Sequence, residues 1–256
     1  MKMYPVTRAR LWLRCLISGE KCIACGEMKT NGESLLCPEC EKDLKRSHLR
    51  LCPDCGAYAR DCLCVTQTMR VNRIDSLIKY AFYDASTPEA ALNRVISRLK
   101  KIPDSLTFAY FAAILSRELS VLCDSRGYTR ENTVVTHIPR SRKRIAKDGY
   151  DQAKMFAKAV AKRAQMPHRT LLVRLKHGKQ QKYLHVDERI ENVKGMFSVR
   201  NTDLVAGKRV ILADDLVTTG ATVSEAATMF YEAGAVEVVC ICIAESDKKK
   251  GIAFQI

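Results

Sequence analysis

The sequence lacks an uninterrupted apolar run approaching the roughly 18 residues that a membrane span needs. Its first segment, Met1 to Ile17, mixes Lys2, Arg8, Arg10 and Arg14 with Leu11, Trp12, Leu13 and Leu16. With neither a continuous apolar stretch nor a small-residue cleavage site there, a secretory signal is not expected. A short amphipathic helix covering part of the core is the reading, in a cytoplasmic protein without a membrane span. Walker A and G-x-G-x-x-G loops are missing, as are internal repeats and low-complexity segments, which removes the commonest nucleotide-binding classes. Acidic residues are also short: 28 Asp and Glu face 43 Lys and Arg, for a net charge of +15. From Gln152 through Val186 no acid occurs, whereas Lys154, Lys158 and Lys162 recur every fourth residue along one face of a helix. Such a balance favours phosphate-bearing ligands or nucleic acid. Aromatics that could stack on bases are sparse in that region: Tyr150, Phe156 and Tyr183.

Cysteine, by contrast, is abundant. Eight of the 12 cysteines fall between Cys22 and Cys64. Cys22-Ile-Ala-Cys25-Gly26 and Cys37-Pro-Glu-Cys40 form one pair of C-x-x-C turns. Cys52-Pro-Asp-Cys55-Gly56 and Cys62-Leu-Cys64 form a second, shorter set. A tight C-x-x-C turn can supply two of the four tetrahedral ligands that zinc requires. Glycine after the second cysteine lets the backbone curl so that amides face the thiolates. A disulfide framework would call for an export signal, and four adjacent pairs argue against a single redox dithiol. One or two structural zinc ions are therefore expected, with sequential or interleaved pairing both open; the C-x-C turn is the less usual ligand spacing. Cys240 and Cys242 alternate on a strand and read as small core residues, and Cys15 and Cys123 lie in helical patterns.

After the cysteines, short apolar strands alternate with helices. Strands are expected at 74–83, 132–138, 170–175, 208–213 and 236–244. Helices are expected from Thr87-Pro88-Glu89 to Lys101, and over 106–123, 150–165 and 222–233. That order implies a parallel sheet covered on both faces, with the ligand crevice at the carboxyl ends of the strands. The division expected is residues 1–70 for the N-terminal helix and cysteine module and 71–256 for the α/β domain.

One strand exit carries chemistry. Val210-Ile-Leu-Ala213 is followed by Asp214, Asp215, Leu216, Val217, Thr218, Thr219, Gly220, Ala221 and Thr222, and a helix begins at once. Consecutive amides and a helix N-terminus can hold a phosphate. Threonine hydroxyls can donate to its oxygens, and adjacent carboxylates suit a sugar diol. A Thr-capped turn with an acid near the helix start explains one acid and one Thr, but not the full order.

This pattern resembles the phosphoribosyltransferase family, and the resemblance narrows to its ComF branch. The double cysteine cluster, Asp148-Gly149-Tyr150-Asp151-Gln152-Ala153, Gln181-Lys182-Tyr183-Leu184 and Glu188 through Phe197 are similar to segments of that branch. Position 148 departs from it, being Asp where the branch usually has Arg. The resemblance implies a type I phosphoribosyltransferase-like sheet behind a zinc-ribbon module. It implies that Asp214 and Asp215 hold the ribose hydroxyls of phosphoribosyl pyrophosphate while Thr218, Thr219, Gly220, Ala221 and Thr222 cradle its 5-phosphate. Arg140, Ser141 and Arg142 then face the pyrophosphate, accompanied by Mg²⁺, and a basic surface loop is the plainer account of those three. The chain offers no separate hood for an acceptor base, because the cysteine module occupies that part of it. The branch's association with DNA uptake in competence adds two other partners, single-stranded DNA and a helicase-like ATPase. It also adds the alternative of a nucleic-acid-binding protein whose phosphoribosyl pocket is a sensor or relic without turnover.

Overall fold

The computed structural model describes residues 21–29, 34–175 and 195–246. The expected N-terminal helix, the segments 181–184 and 188–194, and the Lys248–Lys250 tail lie outside them.

A first helix, α1 (Pro38–His48), belongs to the cysteine module, and α2 (Gln67–Val71) leads out of it. Then follow β1 (Leu77–Tyr83), α3 (Ala91–Leu99), α4 (Ser105–Ser125), β2 (Thr133–His137), α5 (Arg142–Asp148) and α6 (Gln152–Ala164). The remainder is β3 (Leu172–Arg174), β4 (Phe197–Val199), β5 (Arg209–Val217), α7 (Ala221–Glu232) and β6 (Glu237–Ser246). Four strands form a parallel sheet in the order β1-β6-β5-β2, and β3 pairs antiparallel with β4 in a separate ribbon.

The continuous apolar character of the strands reflects two covered faces. Successive strand residues point to opposite sides, so Ile211, Ala213, Val239 and Ile241 meet α3, α4 and α6. Val210, Leu212, Val238, Cys240 and Cys242 meet α2, α7 and the β3–β4 ribbon. Cys240 and Cys242 are thus buried core residues on one face, as their alternation predicts.

Helix α4, 21 residues long, is apolar enough to cross a membrane by length and composition. Counting uninterrupted apolar runs passed over it. Its residues Phe108, Phe111, Ala112, Leu115, Leu119 and Leu122 recur at helical spacing and are buried in the core. Helix α3 starts later than expected. Thr87 donates to the Asp84 carbonyl in the preceding turn instead of capping the helix. The Ala91 amide donates to the carboxylate of Asp43 on α1 at 2.7 Å, so a residue of the cysteine module caps α3. Strand β5 is longer than expected and contains Asp214 and Asp215. Helices α1, α2 and α5 and strand β4 were not anticipated.

At the end of β2, His137 stacks on His168 with centroids 5.4 Å apart, and their facing nitrogens are 3.4 Å apart. Burial, joined by the charges of His168, Lys154 and Lys158, pushes His137 down to about 3. Burial and the same lysines push His168 down to about 4. Both rings are neutral in the fold, whereas the unfolded chain takes up protons near pH 6.5. Their stabilising contribution is complete above that pH and declines as pH falls toward the folded values, by about 1.4 kcal/mol per pH unit per ring. Thermal unfolding of the wild type between pH 7.5 and 5 should therefore lose on the order of 4 kcal/mol more than that of a His137→Gln/His168→Gln variant, about 2 for each ring. Equal pH slopes in the two proteins would contradict this account.

Candidate functional site

Strand β2 ends opposite Ala213 of β5, where the Ile138 amide donates to the Ala213 carbonyl. Beyond that point β5 is backed by β6 alone, with Asp214 opposite Cys242 and Val217 opposite Glu245. Asp214 and Asp215 therefore stand where the sheet opens into a crevice. The Asp215 amide donates to Asp214 Oδ1 at 2.9 Å, and the Leu216 amide to Asp215 Oδ1 at 3.0 Å. Burial, and then the neighbouring charge of Asp215, hold the Asp214 carboxyl well above the usual carboxylate range.

The loop from β5 to α7 is shorter than the sequence suggests, because the strand runs to Val217 and the helix starts at Ala221. Only Thr218, Thr219 and Gly220 lie between. Gly220 caps α7 at φ +81°, a conformation that favours glycine. Its missing side chain is equally required by packing: a Cβ would lie 2.5 Å from Thr66 Oγ1 and 2.6 Å from Met69 Cγ. Thr66 caps α2, accepting from the Met69 amide, and its hydroxyl donates to the Thr219 carbonyl at 2.9 Å. The segment leaving the cysteine module thus clasps this loop. Thr218 is exposed, Thr219 Oγ1 accepts from the Ala221 amide, and Thr222 is partly buried.

Across the crevice, Ser141 caps α5 instead of sitting within an extended basic loop. Arg140 is committed: its amide donates to Asp151 Oδ2 at 3.0 Å, and its guanidinium pairs with Asp148 at 2.8 Å. Asp148, the position that departs from the ComF pattern, neutralises this arginine. Arg142 is exposed. Tyr150 Oη and Gln152 Nε2 both donate to the Leu99 carbonyl, at 2.5 and 3.2 Å, closing the end of α3. These two motif residues hold scaffold together.

Sequence reasoning missed Arg174, counting it only among the basic residues of an acid-free stretch. It lies on β3 over the Phe197 ring and donates weakly to the Pro139 carbonyl at 3.4 Å. Its Nε is buried without a hydrogen-bond partner among the described residues. Burial and the charge of Arg144 push its guanidinium down, while Asp214 pulls the other way. A half-buried cation therefore lies within electrostatic reach of Asp214.

The cysteines form two groups in sequential pairing: Cys22, Cys25, Cys37 and Cys40, then Cys52, Cys55, Cys62 and Cys64. Within each, the four sulfurs lie within 4.8 Å of one another, and Cys25 Sγ is 3.9 Å from Cys37 Sγ. A tetrahedron with 2.3 Å zinc–sulfur bonds has sulfur–sulfur edges of about 3.8 Å, so the donor sets fit such an ion. The two leading turns share one hydrogen-bond pattern. Gly26 N donates to Cys22 O and Cys22 N to Glu27 O; Gly56 N donates to Cys52 O and Cys52 N to Ala57 O. Both glycines have positive φ, as expected. Burial raises the Cys22 thiol, but amides of Cys37, Cys25 and Ala24 outweigh it and bring the group down to about 7.

The clasp on the loop can be tested by stability. Gly220→Ala combines an unfavourable backbone conformation with the overlap at Thr66, and should lower urea stability by about 2–4 kcal/mol. Thr66→Val, which loses the cap and strands the Thr219 carbonyl, should cost about 1–2 kcal/mol. Midpoints unchanged from wild type would show that the clasp carries no energy.

Comparison with known proteins agrees with this geometry. A family model described as phosphoribosyl transferase domain matches residues 151–253. The chain is 28% identical over 205 residues to "Competence protein ComFC" of Bacillus subtilis, covering 78% of this chain and 79% of that protein. It is 27% identical over 238 residues to "Competence protein ComFC" of Streptococcus pneumoniae, with 85% and 96% covered. "DNA utilization protein YhgH" of Salmonella typhimurium is 26% identical over 215 residues, with 81% and 89% covered. With its parallel sheet, its carboxylate-bearing strand exit and its paired cysteine clusters, the chain carries a phosphoribosyltransferase-type domain and is similar over most of its length to the competence proteins named ComFC.

Proposed function

We propose that this protein binds phosphoribosyl pyrophosphate in the crevice at the carboxyl end of β5. The observation that carries this reading is the order of parts on one strand exit. Two carboxylates stand where β5 has outrun β2, and the N-terminus of α7 follows them by way of a three-residue turn held open by Gly220. Asp214 and Asp215 accept from the ribose hydroxyls. The 5-phosphate takes the amides and hydroxyls of Thr218 through Thr222, with the partial positive charge of the helix end. The pyrophosphate lies toward Arg140, Ser141 and Arg142, accompanied by Mg²⁺, which supplies charge neutralisation to the leaving group. Because Asp148 occupies Arg140, the exposed Arg142 is the first cation a ligand meets, and the ion pair must be exchanged before Arg140 can take part. Turnover would displace pyrophosphate from the ribose C1, with positioning and charge as the means of catalysis. Each cysteine cluster holds one structural zinc ion.

A second activity is supported by the α6 surface and by the relative's name, "DNA utilization protein". Lys158 and Lys162 are exposed and four residues apart on this helix, a suitable track for the backbone of single-stranded DNA.

Calorimetric titration of phosphoribosyl pyrophosphate with Mg²⁺ should show one site in the wild type. An Asp214→Asn/Asp215→Asn variant should bind about a hundredfold more weakly, because two charge-assisted hydrogen bonds are lost. Absence of binding to folded, zinc-loaded wild type would overturn the assignment. DNA affinity should instead survive that double change, fall steeply with salt, and weaken in Lys158→Gln/Lys162→Gln. Salt-independent binding would exclude the track.

A further inference from the structure

A divalent ion bound by four thiolates carries a formal charge of −2, and such a centre is costly to hold in partly buried surroundings unless donors or cations face it. Backbone amides of the turns supply part of that compensation. Each cluster also meets a cation from the α/β domain.

Arg94, on α3, is half-buried, and its Nη2 donates to Cys40 Sγ at 3.2 Å. Its Nε is buried without a hydrogen-bond partner, and no ion pair among the described residues includes it. The first cluster is therefore the anion beside this guanidinium. One turn further along α3, Arg98 Nη1 lies 2.9 Å from where a Cβ on Gly26 would stand, so a second arginine crosses the same turn. At the second cluster, Lys79 on β1 is fully buried. Its ammonium donates to the carbonyls of two ligand residues, Cys62 at 3.2 Å and Cys64 at 3.1 Å, and pairs with Glu245 at 3.1 Å. A lysine serving only as partner to a buried carboxylate would have no reason to hold both arms of the C-x-C turn. Bonding those carbonyls fixes the spacing of the two sulfurs, which a one-residue gap leaves least constrained.

We propose that Arg94 and Lys79 are positioning residues for the metal–thiolate centres, Arg94 for the first cluster and Lys79 for the second. The assignment rests on the reading that both clusters bind zinc. It accounts for a half-buried and a fully buried cation that the crevice does not use, and it makes the α/β domain a contributor to the metal sites.

The test uses the full chain loaded with zinc alone, challenged with excess chelator and followed with a colorimetric indicator. Alkylation and peptide mapping of the freed cysteines then identify which cluster has opened. Wild type should release two equivalents. Arg94→Met should release one of them at least about tenfold faster, from Cys22, Cys25, Cys37 and Cys40, and Arg94→Lys should restore much of the retention. Since Lys79→Met alone would remove the buried cation facing Glu245, the second arm uses Lys79→Met/Glu245→Gln. That pair should hasten release from Cys52, Cys55, Cys62 and Cys64 only. Release at wild-type rates from variants with unchanged circular dichroism and Tm overturns the assignment while leaving the zinc reading intact. A wild type that retains no zinc overturns both.

Discussion

Strand β5 extends to Val217, whereas its neighbour β2 stops opposite Ala213, and this mismatch in length organises one whole end of the molecule. Equal strands would bury the edge of β5 in ladder hydrogen bonds and leave no crevice. Because β2 turns away at Ile138, the segment around Arg140 departs sideways, and Asp151 caps α6 while accepting from the Arg140 amide. The β3–β4 ribbon brings Arg174 to the same place. A carboxylate pair, a helix end and several cations converge because one strand is too short to shield them.

The cysteine module is tied into the scaffold of this end. Cys22, Ile23, Leu36, Cys40 and Leu44 share a core with Ile78, Val95, Phe111 and Ile241. Asp43 caps α3, and Tyr80 donates from its hydroxyl to the Leu44 carbonyl at 3.1 Å. A small module that could bury little apolar surface alone obtains it from the neighbouring sheet and helices.

Much of the architecture was legible in the sequence because the strands are continuously apolar and the helices periodic. The cysteine groups were legible because ligand spacing is local. What escaped was tertiary. Thr87-Pro88-Glu89 has the composition of a helix start, but Asp43 supplies the cap from 48 residues away. Asp214 and Asp215 read as loop residues because acids are uncommon in strands, yet pairing with β6 keeps them in β5. Arg140 reads as a free cation, and only the fold brings Asp148 back to it. Arg174 carried no local signal, since only the fold sets it against Pro139 and Phe197.

The contact between Thr66 and Gly220 has a consequence for descent. The space that a side chain at 220 would occupy is already filled by Thr66 and Met69, which belong to a segment 151 or more positions earlier in the chain. Neither partner is free to drift by itself. A lineage acquiring a larger residue at 220 must accept a smaller one at 69, surrender the hydroxyl at 66 and still bear the strain of a positive φ. Substitutions at these three sites are therefore coupled, and a change at one constrains what the other two can become.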